Sequence, residues 1–160
     1  MKTLQRFVVC LVIAFGLALG SSNLLAQDCN QLTHADLRSI TTQLGYTAKD
    51  ITTTPGKEKF SITTTRNGLD IPIALEISPS KNYIWLTVNL GPARADTSLR
   101  HAALLKQNAI VQPCQFYVSA SGLTMLGLPL ENKGITNAYL REKLELVSKN
   151  VGNTEYIWKN

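Results

Sequence analysis

Residues 60–90 read FSITTTRNGLDIPIALEISPSKNYIWLTVNL, and their period of two decides the fold. Phe60 and Ile62 alternate with Ser61 and Thr63. Ile71, Ile73, Leu75 and Ile77 alternate with Pro72, Ala74, Glu76 and Ser78. Such alternation marks strands with one buried face. Asn67-Gly68 favours a two-residue type I′ hairpin turn, and Pro79-Ser80-Lys81-Asn82 supplies a second turn. A third strand, Tyr83 to Leu90, then puts Ile84, Leu86, Val88 and Leu90 on one face, with Tyr83, Trp85, Thr87 and Asn89 on the other. This is a three-stranded antiparallel meander. Pro72 conflicts with a simple ladder because it has no N–H to donate, so it must face an open edge or a strand start.

Outward from the meander, helices and strands segregate. Upstream, Thr33 suits an N-cap with Asp36 three residues on, Leu37, Ile40 and Leu44 form an apolar stripe, and Gly45 suits the C′ position. Residues 47–59 are Thr-rich around Pro55-Gly56, a loop that can hide a short strand. Downstream, Asp96, Thr97 or Ser98 can cap a second helix, whose stripe is Leu99, Ala102, Ala103, Leu105 and Ala109 or Ile110, with Leu104 widening it. Pro113 bars its continuation. Two strands follow, Cys114 to Ala120 and Leu123 to Leu130, turning at Ser121-Gly122. Thr136 caps a third helix, with Tyr139, Leu140, Lys143, Leu144 and Val147 on its apolar face. Glu155-Tyr156-Ile157-Trp158 reads as a last helical turn or a strap over the core. The order α-β-β-β-α-β-β-α predicts an α+β domain, its antiparallel sheet covered by helices mainly on one face.

The ends of the chain speak to its address. Lys2 and Arg6 precede the apolar run Phe7 to Leu19, and small residues follow, with cleavage expected after Gly20 or Ala26. That is the layout of a secretory signal peptide, so residues 1–26 read as a leader and 29–160 as one domain, periplasmic or secreted. Lys2 and Arg6 leave with the leader, so 16 basic residues become 14 against 11 acids and +5 becomes +3. The remaining Lys and Arg are scattered, which argues against a nucleic-acid stripe. Cys10 also leaves. Cys29 and Cys114 are then an even pair bound for an oxidising compartment, and a Cys29–Cys114 disulfide is expected. A loop of that length contributes about 3–5 kcal/mol in the chain-entropy model. The rival reading is two unrelated buried thiols.

Chemistry-bearing patterns are sparse. His34 and His101 have no partner at zinc spacing, and no metal or cofactor is expected. Ser98, Ser119 and Ser121 lack a Gly-x-Ser-x-Gly context. Glu142 and Glu145 sit beside Lys143 and Lys149 as a solvated helix face, with Glu145–Lys149 an i, i+4 pair. The chain is therefore expected not to be an enzyme. The conspicuous feature is apolar surface. The sheet face opposite Ile84, Leu86, Val88, Phe116 and Val118 carries Tyr83, Trp85 and Tyr117, and Leu126 and Leu128 are assigned to it as well. Together these five make a candidate partner-binding surface. The rival reading has the Tyr156/Trp158 tail or the 47–59 loop covering that face.

The element order, with Leu104-Leu105-Lys106-Gln107-Asn108 closing the middle helix, Ser121-Gly122-Leu123-Thr124-Met125, Leu128-Pro129-Leu130 and Ile135-Thr136, resembles the type III secretion chaperone-like fold over roughly Leu32 to Val151. The likeness extends to the YbjN-like branch of sensory transduction regulators and to the Tir-chaperone (CesT-like) branch. It implies a non-enzymatic homodimer that holds a protein or peptide partner, with Leu104 and Leu105 of the middle helix at the dimer contact. Those chaperones are typically acidic and cytosolic, whereas this chain is basic and carries an export leader, so the injected-effector role is not carried over. A small-ligand or envelope-stress sensor of the same fold is the alternative, and a hydrolase using Cys114 or a serine the third.

Overall fold

The computed structural model describes residues 31–93 and 98–159. Helix α1 (His34–Gln43) is followed by strands β1 (Lys49–Thr52), β2 (Lys59–Arg66), β3 (Leu69–Ile77) and β4 (Tyr83–Pro92). Helix α2 (Ser98–Gln107), strands β5 (Gln115–Val118) and β6 (Leu123–Glu131), helix α3 (Asn137–Asn153) and the short helix α4 (Glu155–Trp158) complete the order. All strands pair antiparallel in one sheet, ordered β1-β2-β3-β4-β6-β5. The α+β architecture is as expected, with one strand more: β1 adds an outer edge. The leader, Cys29 and the Asp96 and Thr97 cap candidates lie outside the described residues.

Local chemistry sets the turns. Asn67 (φ 53°) and Gly68 (φ 77°) are both left-handed, the requirement of a type I′ turn. β3 pairs with β2 from Leu69 to Glu76 but with β4 only from Ala74. Pro72 thus lies beyond the β3–β4 ladder, where its missing N–H costs no pairing on that side. Thr33 and Asp36 form a reciprocal capping box on α1. Thr136 caps α3 by accepting from the Tyr139 N–H.

One face of the sheet carries the core. Phe60, Ile62, Ile71, Ile73, Leu75, Ile84, Leu86, Val88, Phe116, Leu126, Leu128 and Leu130 are each at most 4 % exposed. Helix α3 lies across β2, β3, β4 and β6, presenting Leu140, Leu144, Val147 and Val151, and α1 packs on α3. Helix α2 packs on β5 and α4. The tail folds on the helix side: Trp158 joins the core cluster and its indole N–H donates to the Val151 carbonyl at 3.0 Å.

Pairing β6 with β4 corrects the sequence expectation for two residues. Leu86 faces Leu128 and Val88 faces Leu126, so Leu126 and Leu128 share the core face and are 0 % exposed. They are not part of the outer surface. Register decides this, since a one-residue shift turns every side chain over.

Candidate interaction surfaces

The outer face of the sheet is built from cross-strand rows. One row runs Gln115, Gly127, Thr87, Ala74, Ser61 across β5, β6, β4, β3 and β2. The next runs Pro129, Trp85, Glu76, Lys59, and beyond it Tyr83 faces Glu131. On the other side stand Tyr117, Met125 and Asn89. A band of small side chains is therefore bordered by Trp85 on one flank and Met125 on the other.

Tyr117 leans into the band. A Cβ at Gly127 would stand 2.9 Å from Tyr117 Cε1, so only glycine lets the ring lie there. Thr87 is 4 % exposed, and its Oγ1 has no hydrogen-bond partner among the described residues. Burial, and then the negative charge of Glu76, push the Tyr117 hydroxyl up from the usual phenol range. Glu76 is itself held by Lys59 at 3.2 Å. Tyr83 is exposed and Trp85 half-buried. Tyr83, Trp85 and Tyr117 thus share one face as expected. β1 extends the sheet sideways and α4 lies on the helix side, so neither covers these three.

A second apolar surface lies at α2 and β5. The expected stripe on α2 is rotated. Leu104 is the core residue, at 2 % exposure, whereas Leu99 (87 %) and Leu105 (62 %) face outward. Leu104 is therefore excluded from a dimer contact, and Leu105 is available for one. Ile110 and Val118 are also exposed; Val118 shares the core-facing parity of Phe116 but stands on the edge strand. Between α2 and β5 opens a cavity of about 100 Å³ lined by His101, Leu104, Leu105, Phe116, Tyr117, Val118 and Thr124. The Leu-Leu-x-x-Asn helix end has a physical role here. The Asn108 amide accepts from the Phe116 N–H (2.7 Å) and donates to the Phe116 carbonyl (3.1 Å). It pairs with β5 as another strand would, and fixes α2 against the edge.

The remaining chemistry-bearing residues are dispersed. His34 Nδ1 stands 3.2 Å from Glu58, and His101 Nε2 is 3.4 Å from Thr124 Oγ1. Lys143 pairs with Glu142 and sits over the Tyr139 ring. Among the described residues no three His, Cys, Asp or Glu side chains are grouped to hold a metal ion, and no helix is long and apolar enough to cross a membrane. Cys114 is 2 % exposed; burial pushes its thiol up, against opposing pulls from the Asn150 hydrogen bond and the Lys143 charge. A raised thiol is a poor nucleophile at neutral pH. Its expected partner, Cys29, lies outside the described residues.

The roles of four positions escaped the sequence expectation: Gly127, Thr87, Asn108 and Asn132. Asn132 is 1 % exposed; its amide accepts from the Leu32 N–H and donates to the carbonyls of Leu32 and Lys81, pinning the entry to α1 onto the β3–β4 turn. For β6 a signal was present. Leu126, Leu128 and Leu130 share one parity, while Gly127, Pro129 and Glu131 share the other.

No protein-family model and no curated protein matches the chain. Among solved structures, a chain in the structure of the HopA1–SchA chaperone–effector complex is similar, at 13 % identity and a TM-score of 0.48, over 72 % of this chain and 88 % of that one.

Proposed function

We propose that this chain is an exported, non-enzymatic module that binds a protein or peptide. The observation that carries the proposal is the outer sheet face, which Tyr83, Trp85 and Tyr117 share, while α3 and α1 lie on the opposite, core side. One-sided antiparallel sheets ordinarily turn polar residues to water, and a clustered aromatic face is the composition of binding hot spots. Substituting Trp85 and Tyr117 together by Ser is expected to weaken partner binding about 10- to 30-fold while leaving the circular dichroism and the denaturation midpoint nearly unchanged. Unchanged affinity for a partner recovered with the wild-type chain rejects this face as the site.

Export rests on the layout of residues 1–26. Expressed at full length, the chain is expected in the extracytoplasmic fraction with a mass lacking residues 1–20 or 1–26. Thiol titration of the same preparation, denatured without reductant, is expected to find no free thiol if Cys29 and Cys114 are bridged. Two titratable thiols reject the bridge; an unprocessed cytoplasmic product rejects the address.

The homodimer implied by the resemblance is the weaker reading of the α2 surface. Only Leu105 of the two expected contact residues faces outward.

A further inference from the structure

The outer sheet face carries a trough, and three features of it bear on what it holds. The first is shape. Gln115, Gly127, Thr87, Ala74 and Ser61 form a row across five strands, about 19 Å at the usual strand spacing. Trp85 stands on one flank, and Tyr117 leans in over Gly127 from the other. The second is hydrogen-bonding sense. Thr87 stands on this outer face, opposite Gly127, yet is 4 % exposed, and its Oγ1 has no partner among the described residues. A buried hydroxyl left unpaired is costly, and such a group in a folded protein calls for an explanation. The Trp85 indole N–H, which can only donate, and the Tyr117 hydroxyl are likewise unbonded to any described residue. The third is charge. Glu76, directly across from Trp85, is held by Lys59 at 3.2 Å, so this flank has no spare charge to offer a charged segment.

We infer that this trough docks a proline-rich segment of the partner protein in the polyproline II conformation, its main-chain carbonyls accepting from the Thr87 hydroxyl and the Trp85 indole N–H. The inference rests on the protein-binding function proposed above and names the class of segment bound. A polyproline II chain has no internal hydrogen bonds, so its carbonyls stay open, and its prolines bring no N–H. About six residues at about 3.1 Å each span the row. The proline rings pack on Trp85 and Tyr117, as they do in other aromatic-lined grooves. Other occupants match less well. An α-helix is about 10–12 Å across and has its carbonyls bonded internally. A strand adds at a sheet edge rather than on a face. A glycan brings a hydroxyl donor with every hydroxyl acceptor. A second copy brings the same indole N–H and the same hydroxyls in place of carbonyls.

Fluorescence anisotropy of labelled hexaproline, and of a Gly-Ser peptide of the same length, with the purified chain tests this. Hexaproline is expected to bind about tenfold tighter, because it is ordered before it binds. Thr87→Val and Trp85→Phe are each expected to weaken hexaproline binding about 3- to 10-fold, one hydrogen bond apiece. Thr87→Val is also expected to keep or raise the urea denaturation midpoint, since a methyl group replaces an unpaired buried hydroxyl. Equal binding of the two peptides overturns the inference. So does a Thr87→Val variant with a lower midpoint and unchanged hexaproline binding, which makes the hydroxyl purely structural. When Trp85 and Tyr117 are both replaced by Ser, loss of a partner recovered with the wild-type chain but not of hexaproline removes the proline-rich segment and leaves the protein-binding function standing. Loss of neither rejects the face for both. Binding of cellohexaose but not hexaproline, abolished in the same double variant, assigns the trough to a glycan. A dimer in sedimentation equilibrium that Trp85→Ser dissociates assigns it to a second copy. Either outcome overturns the inference.

Discussion

Leu128→Ala is expected to destabilise the domain by about 2–5 kcal/mol, the range for removing a fully buried leucine and leaving a cavity. Leu128 is 0 % exposed, faces Leu86 across the β4–β6 ladder, and lies on the core side that α3 covers. Its neighbour in parity, Leu126, is equally buried. Met125, on the opposite face, is half-buried, and Met125→Ala is expected to cost under about 1 kcal/mol, since outward positions lose little packing. Urea denaturation of the two variants side by side measures the difference. A larger loss at Met125 than at Leu128 would mean that β6 is turned over relative to β4, and would return Leu126 and Leu128 to the outer surface.

Asn132→Ala is expected to be nearly as severe, at about 2–4 kcal/mol. Three side-chain hydrogen bonds disappear, each contributing about 1 kcal/mol net, and buried main-chain groups lose their partners. Those groups belong to Leu32 and Lys81, so the loss is felt where the chain enters α1 and where β3 turns into β4. Asn132→Asp is expected to fare no better: its carboxylate can still accept from the Leu32 N–H but faces two carbonyl oxygens where the amide donated. Amide exchange resolves the locality. Faster exchange in α1 and the 78–83 turn, ahead of global unfolding, is the expected pattern. A cost under about 1 kcal/mol with unchanged α1 exchange would show that the entry to α1 is held by other contacts.

Much of the architecture was legible because local rules agreed with one another. The meander follows from a period of two and an Asn-Gly turn; α1 and α3 follow from Thr33 and Thr136 caps ahead of apolar stripes. Those signals act within a few residues and need no knowledge of the partner strand. The errors fell where they run out. β6 is rich in leucine and methionine, so its alternation is weak to the eye, and pairing with β4 fixed its facing. On α2, Leu99, Leu104 and Leu105 are too closely spaced in sequence for periodicity to choose the buried one. The choice follows from where β5 and α4 lie.

The candidate surfaces divide in the same way. Tyr83 and Trp85 could be placed together from a single strand's parity, and Tyr117 joins them by the parity of β5. The band beneath them could not be foreseen. Gly127, Thr87, Ala74 and Ser61 come from four strands, and they form one row only because the sheet order puts β6 beside β4. Asn108 meets Phe116 across the α2–β5 connection, 8 positions on, and Asn132 meets Leu32 at a separation of 100 positions.

Sequence alone thus determined the elements, their caps and turns, the α+β class and the side of the meander that must be buried, because those depend on neighbours within one turn or one hairpin. Tertiary structure decided which face of β6 is core, which leucine of α2 is outside, and that a recess lies between α2 and β5. Those depend on which strand meets which; along β6 the parity of Leu126, Leu128 and Leu130 becomes decisive only once that strand is paired with β4.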